Sequence, residues 1–508
     1  MVSLIFFAIF FLLVFVGPAI SLYTDWLWFQ ETGYVQVFTT SLTYKVVLAI
    51  IFGALFALLL YLNVKLAAHA PRGSRLTVQD NVIELPSPEI VDPLLRRLLL
   101  PGALLLGLFA GPQAGAQWET ALFFVNSASF GFADPLFGRD IGFYVFRLPA
   151  LRALFNWLSF AIVLTLLATA VTYLLYQGVQ YTQRGLFLTQ KARTHLLILI
   201  AVFLVVKAGD YLLDTFDVLY STRGVSFGAS YTDVYAVLPS LRILAFVALA
   251  AAGLSLFQIK RPGFKYLLAG VGALVAVHLV GLQLYPSLLQ RLRVVPNQIV
   301  AERPFIERSI AFTRRAYGLD RVESQDFPAE EQLTLADLKR NDLTIKNVRL
   351  WDHRPLLATY GQLQEIRTYY KFVDVDNDRY VIDGNLRQVM LSPRELSHQH
   401  LPSRIWINEH LTYTHGYGVV FGPVNQVTPE GLPEFFIQDI PPVSTGAIKV
   451  SRPEIYFGEL ANDYVIVKTT AQELDYASGD QNIYSSYEGK GGVPISSLWR
   501  KLILSARY

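Results

Sequence analysis

Cysteine is absent from the 508 residues of this chain. Its absence excludes disulfide bonds, thiolate metal ligands and cysteine nucleophiles together. Charged residues are scarce as well, at 16% of the chain, whereas ordinary soluble domains hold about 25%. Dense runs of lysine and arginine are also missing, and the net charge is only +3, so we expect no nucleic-acid partner. Hydrophobic residues make up 53% of the chain, a balance typical of a membrane protein.

Seven long apolar segments predict membrane-spanning helices, because about 20 largely apolar residues are needed to cross a bilayer. The segments lie near residues 2–22, 45–67, 98–116, 154–176, 195–213, 240–257 and 264–284. Pro101 and Pro112 interrupt the third segment, which neighbouring helices can tolerate. We therefore predict an α-helical polytopic membrane bundle of about seven spans over residues 1–290. An extracytoplasmic α+β domain with antiparallel strands is predicted over residues 291–508.

The first apolar segment has a second interpretation, as a secretory signal peptide. Met1-Val2-Ser3 carries no positive charge, and no small-x-small cleavage site follows the apolar run. An uncleaved helix is the favoured interpretation. The orientation of the later helices is the same in both cases.

Lysine and arginine in the short loops predict the orientation, since loops rich in these residues stay in the cytoplasm. They concentrate in three alternate loops, which hold Lys65, Arg72, Arg75, Arg96 and Arg97, then Arg184, Lys191 and Arg193, then Lys260, Arg261 and Lys265. The intervening loops are richer in acid. The N-terminus is therefore predicted to be cytoplasmic, and an odd number of spans places everything after Leu284 outside the plasma membrane.

The predicted extracytoplasmic domain begins with an amphipathic helix, Ala301 to Tyr317, and Thr334 is a suitable N-cap for another helix. Alternating residues in 369–384 predict a β-hairpin with its turn at Asn377-Asp378. Further short strands are predicted in "LRQVMLSPREL", "EFFIQDIPP", "PEIYFGEL" and "DYVIVKT". The chain ends in an amphipathic helix whose apolar face, Trp499, Leu502 and Ile503, has little left to cover it. We therefore expect the sequence to be a fragment of a longer protein.

Seven strings follow one another along the chain: "DWLWFQETGY", "DPLFGRDIGFYVFRLP", "KAGDYLLDTFDVLYSTRGVSFGASYTD", "ERPFIERSIAFTRRAYGLD", "VDVDNDRYVIDG", "HLTYTHGYG" and "ASGDQNIYSSYEGKGGVPI". Together they resemble the UPF0182 family of uncharacterised bacterial integral membrane proteins, from the first apolar segment to the end of the chain. The resemblance implies a multi-span envelope protein with a large extracytoplasmic part, and members longer than this chain. It implies no activity and supplies no catalytic residues.

Half of the eight histidines fall between residues 397 and 415. His398, His400, His410 and His415 are weak candidates for a zinc site, because zinc takes about four imidazole or carboxylate ligands. No pair has the i, i+4 spacing of a helical zinc motif, and hydrogen-bonding roles explain the same residues. We therefore predict no specific metal site and no cofactor.

The alternating acids of "DVDNDRYVIDGN" (374–385) resemble a calcium loop. An EF-hand needs glycine at its sixth position and glutamate at its twelfth, where this chain has Arg379 and Asn385. A hairpin is favoured over a different calcium geometry built from Asp374, Asp376 and Asp383.

Lys207, Asp210, Asp214 and Asp217 follow one another in steps of three and four, so they share one helical face. Charges inside a span often mark an ion or proton path, and Lys207, Asp210 and Asp214 are the candidates for one. Snorkelling at the outer interface, with Lys207 paired to Asp210 or Asp214, is the favoured explanation. The "GVSFG" string (224–228) lacks the strand and helix of a nucleophile elbow, so a hydrolase is rejected.

No catalytic motif is found, and we predict that the chain is not an enzyme. The favoured function is an integral plasma-membrane protein of unknown biochemical activity, which anchors or connects parts of the cell envelope. Its expected partners are the lipid bilayer and an envelope protein, lipid or glycan. A transporter or channel using the charged face near Asp210 is one alternative. A metal-dependent envelope enzyme using the histidines is the other.

Overall fold

The computed structural model describes residues 2–69, 88–176, 178–182, 185–327, 329, 332–461 and 463–508. The side chains of residues 2–15, 88–92, 94–96, 179–182 and 185–187 fall outside that description. Arg72, Arg75 and Arg184, which contributed to the predicted orientation, lie outside the described residues. The chain divides into two compact units. A helical unit comprises residues 1–324 and 493–508, and a sheet unit comprises residues 325–492.

Long helices build most of the helical unit. Their bounds are α1 (Val2–Glu31), α2 (Val35–Ala68), α3 (Pro88–Gly115), α4 (Trp118–Val125), α5 (Leu148–Leu175), α6 (Gln190–Asp217), α7 (Leu238–Gln258), α8 (Lys265–His278), α9 (Tyr285–Leu289) and α10 (Gln298–Ala316). A short hairpin, β1 (Val179–Thr182) and β2 (Gly185–Leu188), joins α5 to α6. π-helical turns precede α5 and α7, and others connect α8 through α9 to the approach to α10.

Six helical stretches are long and apolar enough to cross a membrane: Val35–Ala68, Arg97–Gly115, Phe143–Leu175, Gln190–Tyr220, Asp233–Gln258 and Lys265–Ala316. They correspond to the second through seventh predicted segments. The first predicted segment, residues 2–22, lies in α1, and the side chains of residues 2–15 are outside the description. An N-terminal helical region followed by antiparallel strands is therefore confirmed.

The sheet unit is built from short helices and short antiparallel strands. These are α11 (Leu335–Arg340), α12 (Asp342–Ile345), α13 (His353–Gln364), β3 (Tyr370–Lys371), β4 (Asp376–Ile382), β5 (Asn385–Pro393), β6 (Glu395–Leu396), β7 (Gly416–Tyr417), β8 (Val419–Pro423), β9 (Ile437–Gln438), β10 (Val443–Ser444), β11 (Glu454–Ile455), β12 (Glu473–Ser478) and β13 (Gln481–Ser485). The main sheet has the order β10-β9-β8-β5-β4. Leu356 and Tyr360 of α13 are buried with Met390 of β5 and Val420 of β8, so one helix and this sheet share a core. After this unit the chain ends in α14 (Leu498–Arg507).

Several local predictions have definite outcomes. Thr334 caps α11 in a reciprocal capping box with Asp337, which confirms the predicted N-cap. The β4–β5 hairpin is confirmed, but the predicted position of its turn is wrong. Asn377 pairs with Met390 inside the ladder, and the turn is at Asp383-Gly384. Both turn residues have positive φ, 50° and 75°, as two-residue hairpin turns of type I′ require.

Two further predictions about the end of the chain are wrong. The string "DYVIVKT" (463–469) forms no strand. Ile503 was expected to be uncovered, yet it is only 8% exposed, because α14 packs against α1. The Arg507 guanidinium donates to the Ser21 hydroxyl of α1 at 2.8 Å. Trp499 and Leu502 remain exposed, as predicted.

Candidate functional site

The loop between α4 and α5 is organised by two aspartates. Asp134 Oδ1 accepts hydrogen bonds from the backbone N–H groups of Leu136 and Phe137, at 2.8 and 2.7 Å. Asp134 Oδ2 accepts from the Arg139 backbone N–H at 3.0 Å and from the Tyr144 hydroxyl at 2.5 Å. An aspartate that bonds the backbone two residues onward sets a tight turn without any helix or strand. Each oxygen of the Asp134 carboxylate therefore accepts two hydrogen bonds that hold the loop.

Asp140 fixes the other half of the same loop. Its carboxylate accepts the Ser129 hydroxyl at 2.6 Å and the backbone N–H of Gly142 at 2.7 Å. It also accepts the N–H groups of Phe130 and Gly131, at 3.1 and 3.0 Å. These bonds favour the charged form, led by the Ser129 hydroxyl, and they hold the pKa of Asp140 below its ordinary value. Asp140 lies in "DPLFGRDIGFYVFRLP", one of the seven strings that carry the family resemblance, but the sequence does not specify these hydrogen-bond partners.

Protonation of Asp140 is expected to loosen this loop. Because the pKa of Asp140 is lower in the folded chain than in the unfolded one, its stabilising contribution is present above the ordinary pKa of 3.8. That contribution is lost as the pH falls through the lower folded value. Hydrogen–deuterium exchange, corrected for the intrinsic rate, should show protection of the Phe130, Gly131 and Gly142 amides at pH 7 and its progressive loss as the pH falls below 3.8. In an Asp140→Asn variant these amides should be unprotected at pH 7 as well. Peptides from the β4–β5 hairpin provide the control, and equal protection in the variant and the parent at pH 7 would contradict the assignment.

A large apolar pocket lies beside this loop, within the helical unit. Its volume is about 860 Å³, inside the range of about 300–1,000 Å³ that is usual for small-molecule sites. Its walls come from three separate segments: residues 130–145, residues 219–229, and α10 with the residues that follow it to Arg321. Phe132 and Phe312 meet at 5.9 Å between ring centroids, so the first and third segments are in contact. Phe227 contributes a ring that is 66% exposed.

Three arginines line this pocket: Arg308, Arg315 and Arg321. The Arg315 guanidinium lies 4.1 Å from the Phe132 ring centroid, and that of Arg308 lies 5.7 Å from the ring of Phe305. Among the residues that the structure describes, no carboxylate lies within ion-pair distance of any of the three. Asp134 is the acidic residue of the lining, and its oxygens already accept four hydrogen bonds. The pocket therefore combines an aromatic wall with an excess of positive charge.

The "GVSFG" loop forms part of this pocket rather than a nucleophile elbow. Gly228 has a φ of 121° and lines the pocket beside Phe227. A Cβ at Gly224 would lie 2.8 Å from the Ser230 Cβ, so the chain needs glycine there for close approach. Both glycines thus serve the shape of the loop.

The candidate polar path is paired with a residue that the sequence analysis missed. Arg152, in the first turns of α5, reaches Asp210 Oδ1 at 3.1 Å and Asp214 Oδ1 at 2.6 Å, and it also pairs with Asp217. Lys207 Nζ contacts Asp210 Oδ2 at 2.5 Å. The structure therefore brings all four predicted residues of α6 into one ionic cluster with Arg152. No pattern in the sequence links positions 152 and 214, so only the packing of α5 against α6 reveals this partner.

The four candidate histidines have separate roles in the sheet unit. His410 Nδ1 lies 2.7 Å from the Tyr464 carbonyl, and the two rings stack at 4.1 Å. His400 Nδ1 lies 2.8 Å from the Ser397 hydroxyl, and His398 Nε2 lies 3.4 Å from the Tyr413 carbonyl. His415 is buried, with Nε2 at 3.1 Å from Asp475. In the part of the chain that the structure describes, no three histidine or acidic side chains gather in a group that could hold a metal ion.

The acids of the "DVDND" string do not converge either. Asp376 is the first residue of β4, Asp374 lies two residues before it, and Asp383 lies in the turn after the last residue of β4. Asp383 follows Asp376 by seven positions of extended chain, which corresponds to roughly 20 Å. These three carboxylates are therefore not arranged around a common point.

Arg394 is a buried cation that sequence reasoning missed in the sheet unit. Its side chain donates to the Gln364 backbone carbonyl at 2.6 Å and to the Gln364 side-chain oxygen at 2.7 Å. Burial lowers the pKa of Arg394 to about 10. Gly418 lies beside it with a φ of 78°, which favours glycine, and a Cβ there would lie 2.9 Å from Pro442 Cγ and 3.0 Å from Arg394 Nη1. These contacts join α13 to the strands and indicate a structural role.

Comparison with known proteins adds a family. A family model described as "Uncharacterised protein family (UPF0182)" matches residues 2–508. A UPF0182 protein of Trichlorobacter lovleyi is 44% identical over 506 residues, which cover 99% of this chain and 57% of that protein. A UPF0182 protein of Pelobacter propionicus is 45% identical over 486 residues, which cover 96% and 54% respectively. The chain thus spans a little over half the length of these relatives. No solved structure matches it.

The matched region includes both compact units, with the pocket and the ionic cluster inside it. The resemblance noted from seven separate strings is therefore confirmed along almost the whole sequence. The chain belongs to the UPF0182 family, whose function is uncharacterised.

Proposed function

We propose that this chain is a multi-pass plasma-membrane protein of the cell envelope that binds an envelope component on its outer side. Its N-terminus is cytoplasmic, its seven spans are the six apolar helical stretches together with α1, and the sheet unit is extracytoplasmic. The observation that carries the proposal is the aromatic pocket with its three arginines. Binding pockets are typically apolar and aromatic with a few placed polar groups, and this one has that composition.

The distribution of charge supports the orientation. Lys191 and Arg193 at the start of α6, and Lys260, Arg261 and Lys265 between α7 and α8, lie at the ends of helices opposite to the pocket-side loops. Loops rich in lysine and arginine stay in the cytoplasm. The loops that carry Phe130 and Phe227 would then be on the outer side.

The transporter alternative rests on the charged face of α6. Pairing of Arg152 with the three aspartates supports a structural role for that face, because each aspartate already has a close cationic partner. The enzyme alternative rests on the histidines, whose separate hydrogen bonds supply no shared ligand set. Binding is therefore the function we favour.

The absence of cysteine permits a direct test of the proposal. Single variants Val225→Cys and Phe227→Cys place a thiol at neighbouring positions of one loop, which are 58% and 66% exposed. Only position 227 lines the pocket. In intact cells both variants should react with a membrane-impermeant maleimide, and Lys260→Cys should react only after permeabilisation. If the pocket is occupied, the Phe227→Cys variant should react several-fold more slowly than Val225→Cys in membranes and equally fast after delipidation in detergent.

Two results would contradict the proposal. Labelling of Lys260→Cys in intact cells, with Val225→Cys protected, would mean that the true orientation is the reverse of the proposed one. Equal labelling rates of the two loop variants in membranes would leave the pocket without an occupant. The cysteine-free parent chain gives the background in both arms.

A further inference from the structure

The pocket has a net positive lining, and no carboxylate among the described residues forms an ion pair with it. Arg308, Arg315 and Arg321 face it, and the Asp134 carboxylate is consumed by hydrogen bonds from its own loop. The Arg315 guanidinium stacks on the face of Phe132, which leaves its N–H edge free for an acceptor. Arginine forks of this kind match phosphate and carboxylate oxygens. The charge of the lining therefore indicates a ligand with an anionic group.

The rest of the lining fits a ligand that carries a hydrocarbon chain. Rings of Phe130, Phe132, Phe227 and Phe312 surround a volume of about 860 Å³, and polar atoms form the smaller part of its surface. A small hydrophilic anion would leave these rings in contact with water. An occupant with one charged end and one long apolar part would satisfy both regions.

The pocket also lies where lipid is near. Tyr144 and Val145 belong to the first residues of one candidate span, and Leu219 and Tyr220 to the last residues of another. The lining therefore includes the ends of two helical stretches that are long and apolar enough to cross a bilayer. The ends of membrane-spanning helices lie at the level of the lipid head groups, because the hydrocarbon core is flanked by the head-group regions.

We infer that this pocket binds a membrane lipid with a net negative phosphate headgroup. The three arginines hold the headgroup, and the phenylalanine wall holds part of an acyl chain. The inference rests on the proposed function, because it names the class of ligand for the same pocket. A phosphatidylglycerol molecule has the required charge and shape, and phosphatidylcholine is its neutral counterpart.

Native mass spectrometry of the full chain in detergent micelles tests the ligand class, with phosphatidylglycerol and phosphatidylcholine titrated separately. The parent chain should bind one phosphatidylglycerol at least ten-fold more tightly than phosphatidylcholine. The Arg308→Gln/Arg315→Gln/Arg321→Gln variant should lose at least ten-fold in phosphatidylglycerol affinity. Phe312→Ala should weaken binding of both lipids. Millimolar inorganic phosphate should not displace the bound lipid.

The matched control changes three other arginines of the same helical run. Arg291, Arg303 and Arg314 do not line the pocket, and their replacement by glutamine changes the net charge by the same amount. This control should stay within two-fold of the parent. If the triple glutamine variant does not fold, the three single variants should each lose several-fold, and Arg308→Lys/Arg315→Lys/Arg321→Lys should keep the preference for phosphatidylglycerol.

Three outcomes would overturn the inference. Equal affinity of the parent for both lipids would mean that headgroup charge does not contribute to binding. An equal loss in the pocket variant and the matched control would indicate non-specific attraction. Displacement of the lipid by inorganic phosphate would identify a plain anion site. In each case the cysteine labelling described above still reports whether the pocket faces outward and is occupied, so failure of the lipid assignment is distinct from failure of the proposed function.

Discussion

Replacement of Gly111 by alanine is expected to destabilise the helical unit, although alanine is the better helix former. A Cβ at position 111 of α3 would lie 2.5 Å from the Ala49 carbonyl oxygen of α2. Gly107 and Gly115 approach α2 in the same way, with a Cβ at 2.6 Å from the Gly53 oxygen and 2.7 Å from the Lys45 oxygen. Small residues at such spacing let two helix backbones touch, and a methyl group must push them apart.

We expect Gly111→Ala to lower the free energy of unfolding by about 2 kcal/mol, which is typical of overpacking in a well-packed interior. The measurement is the unfolding of purified protein by SDS in mixed micelles. Gly102 of the same helix gives a matched control, because nothing lies within 4 Å of a Cβ built there. Gly102→Ala should be neutral or stabilising by up to about 1 kcal/mol, because alanine loses less backbone freedom than glycine. If the free energy of unfolding changed with the same sign in both variants, the close approach of α2 and α3 would be contradicted.

Replacement of Arg152 by glutamine is expected to have the second large effect. The substitution leaves Asp210, Asp214 and Asp217 with Lys207 as the one cation of their cluster. Removing one partner of a buried ion pair costs about 3–5 kcal/mol. Asp214 and Asp217 are 32% and 48% exposed, and exposed pairs contribute only about 0–1 kcal/mol, so we expect an intermediate loss of about 2 kcal/mol. The same SDS unfolding experiment measures this loss in the free energy of unfolding.

A double variant separates charge from packing. Arg152→Gln/Asp214→Asn should regain a part of the lost stability, because the second change removes one of the unpaired carboxylates. Arg147→Gln is the control on the neighbouring turn, where Arg147 has a single 3.3 Å contact to the Ser127 hydroxyl, and it should change stability by less than about 0.5 kcal/mol. Equal free energies of unfolding for Arg152→Gln and Arg147→Gln would mean that the ionic cluster does not stabilise the fold.

Spacing in the sequence offered some of the signals that were missed. Glycines at 107, 111 and 115 recur every four residues, which predicts close helix packing, but the partner helix is not encoded in that spacing. The hairpin turn was also present as Asp383-Gly384, the dipeptide that tolerates positive φ at both positions. Asn377-Asp378 competed with it as a local turn signal, and the pairing of Asn377 with Met390 decided between them.

The sequence by itself determined the long apolar helices, the Thr334 cap and the amphipathic helix at the end of the chain. Each depends on residues within one or a few helical turns, where composition and backbone bonding act locally. Tertiary structure alone decided the partner of Asp214, the cover over Ile503 and the pocket. Arg152 is about sixty positions from its aspartates, and the pocket walls come from segments that are up to about 190 positions apart. Such contacts depend on how helices pack, and that information is spread over the whole chain rather than stored in any motif.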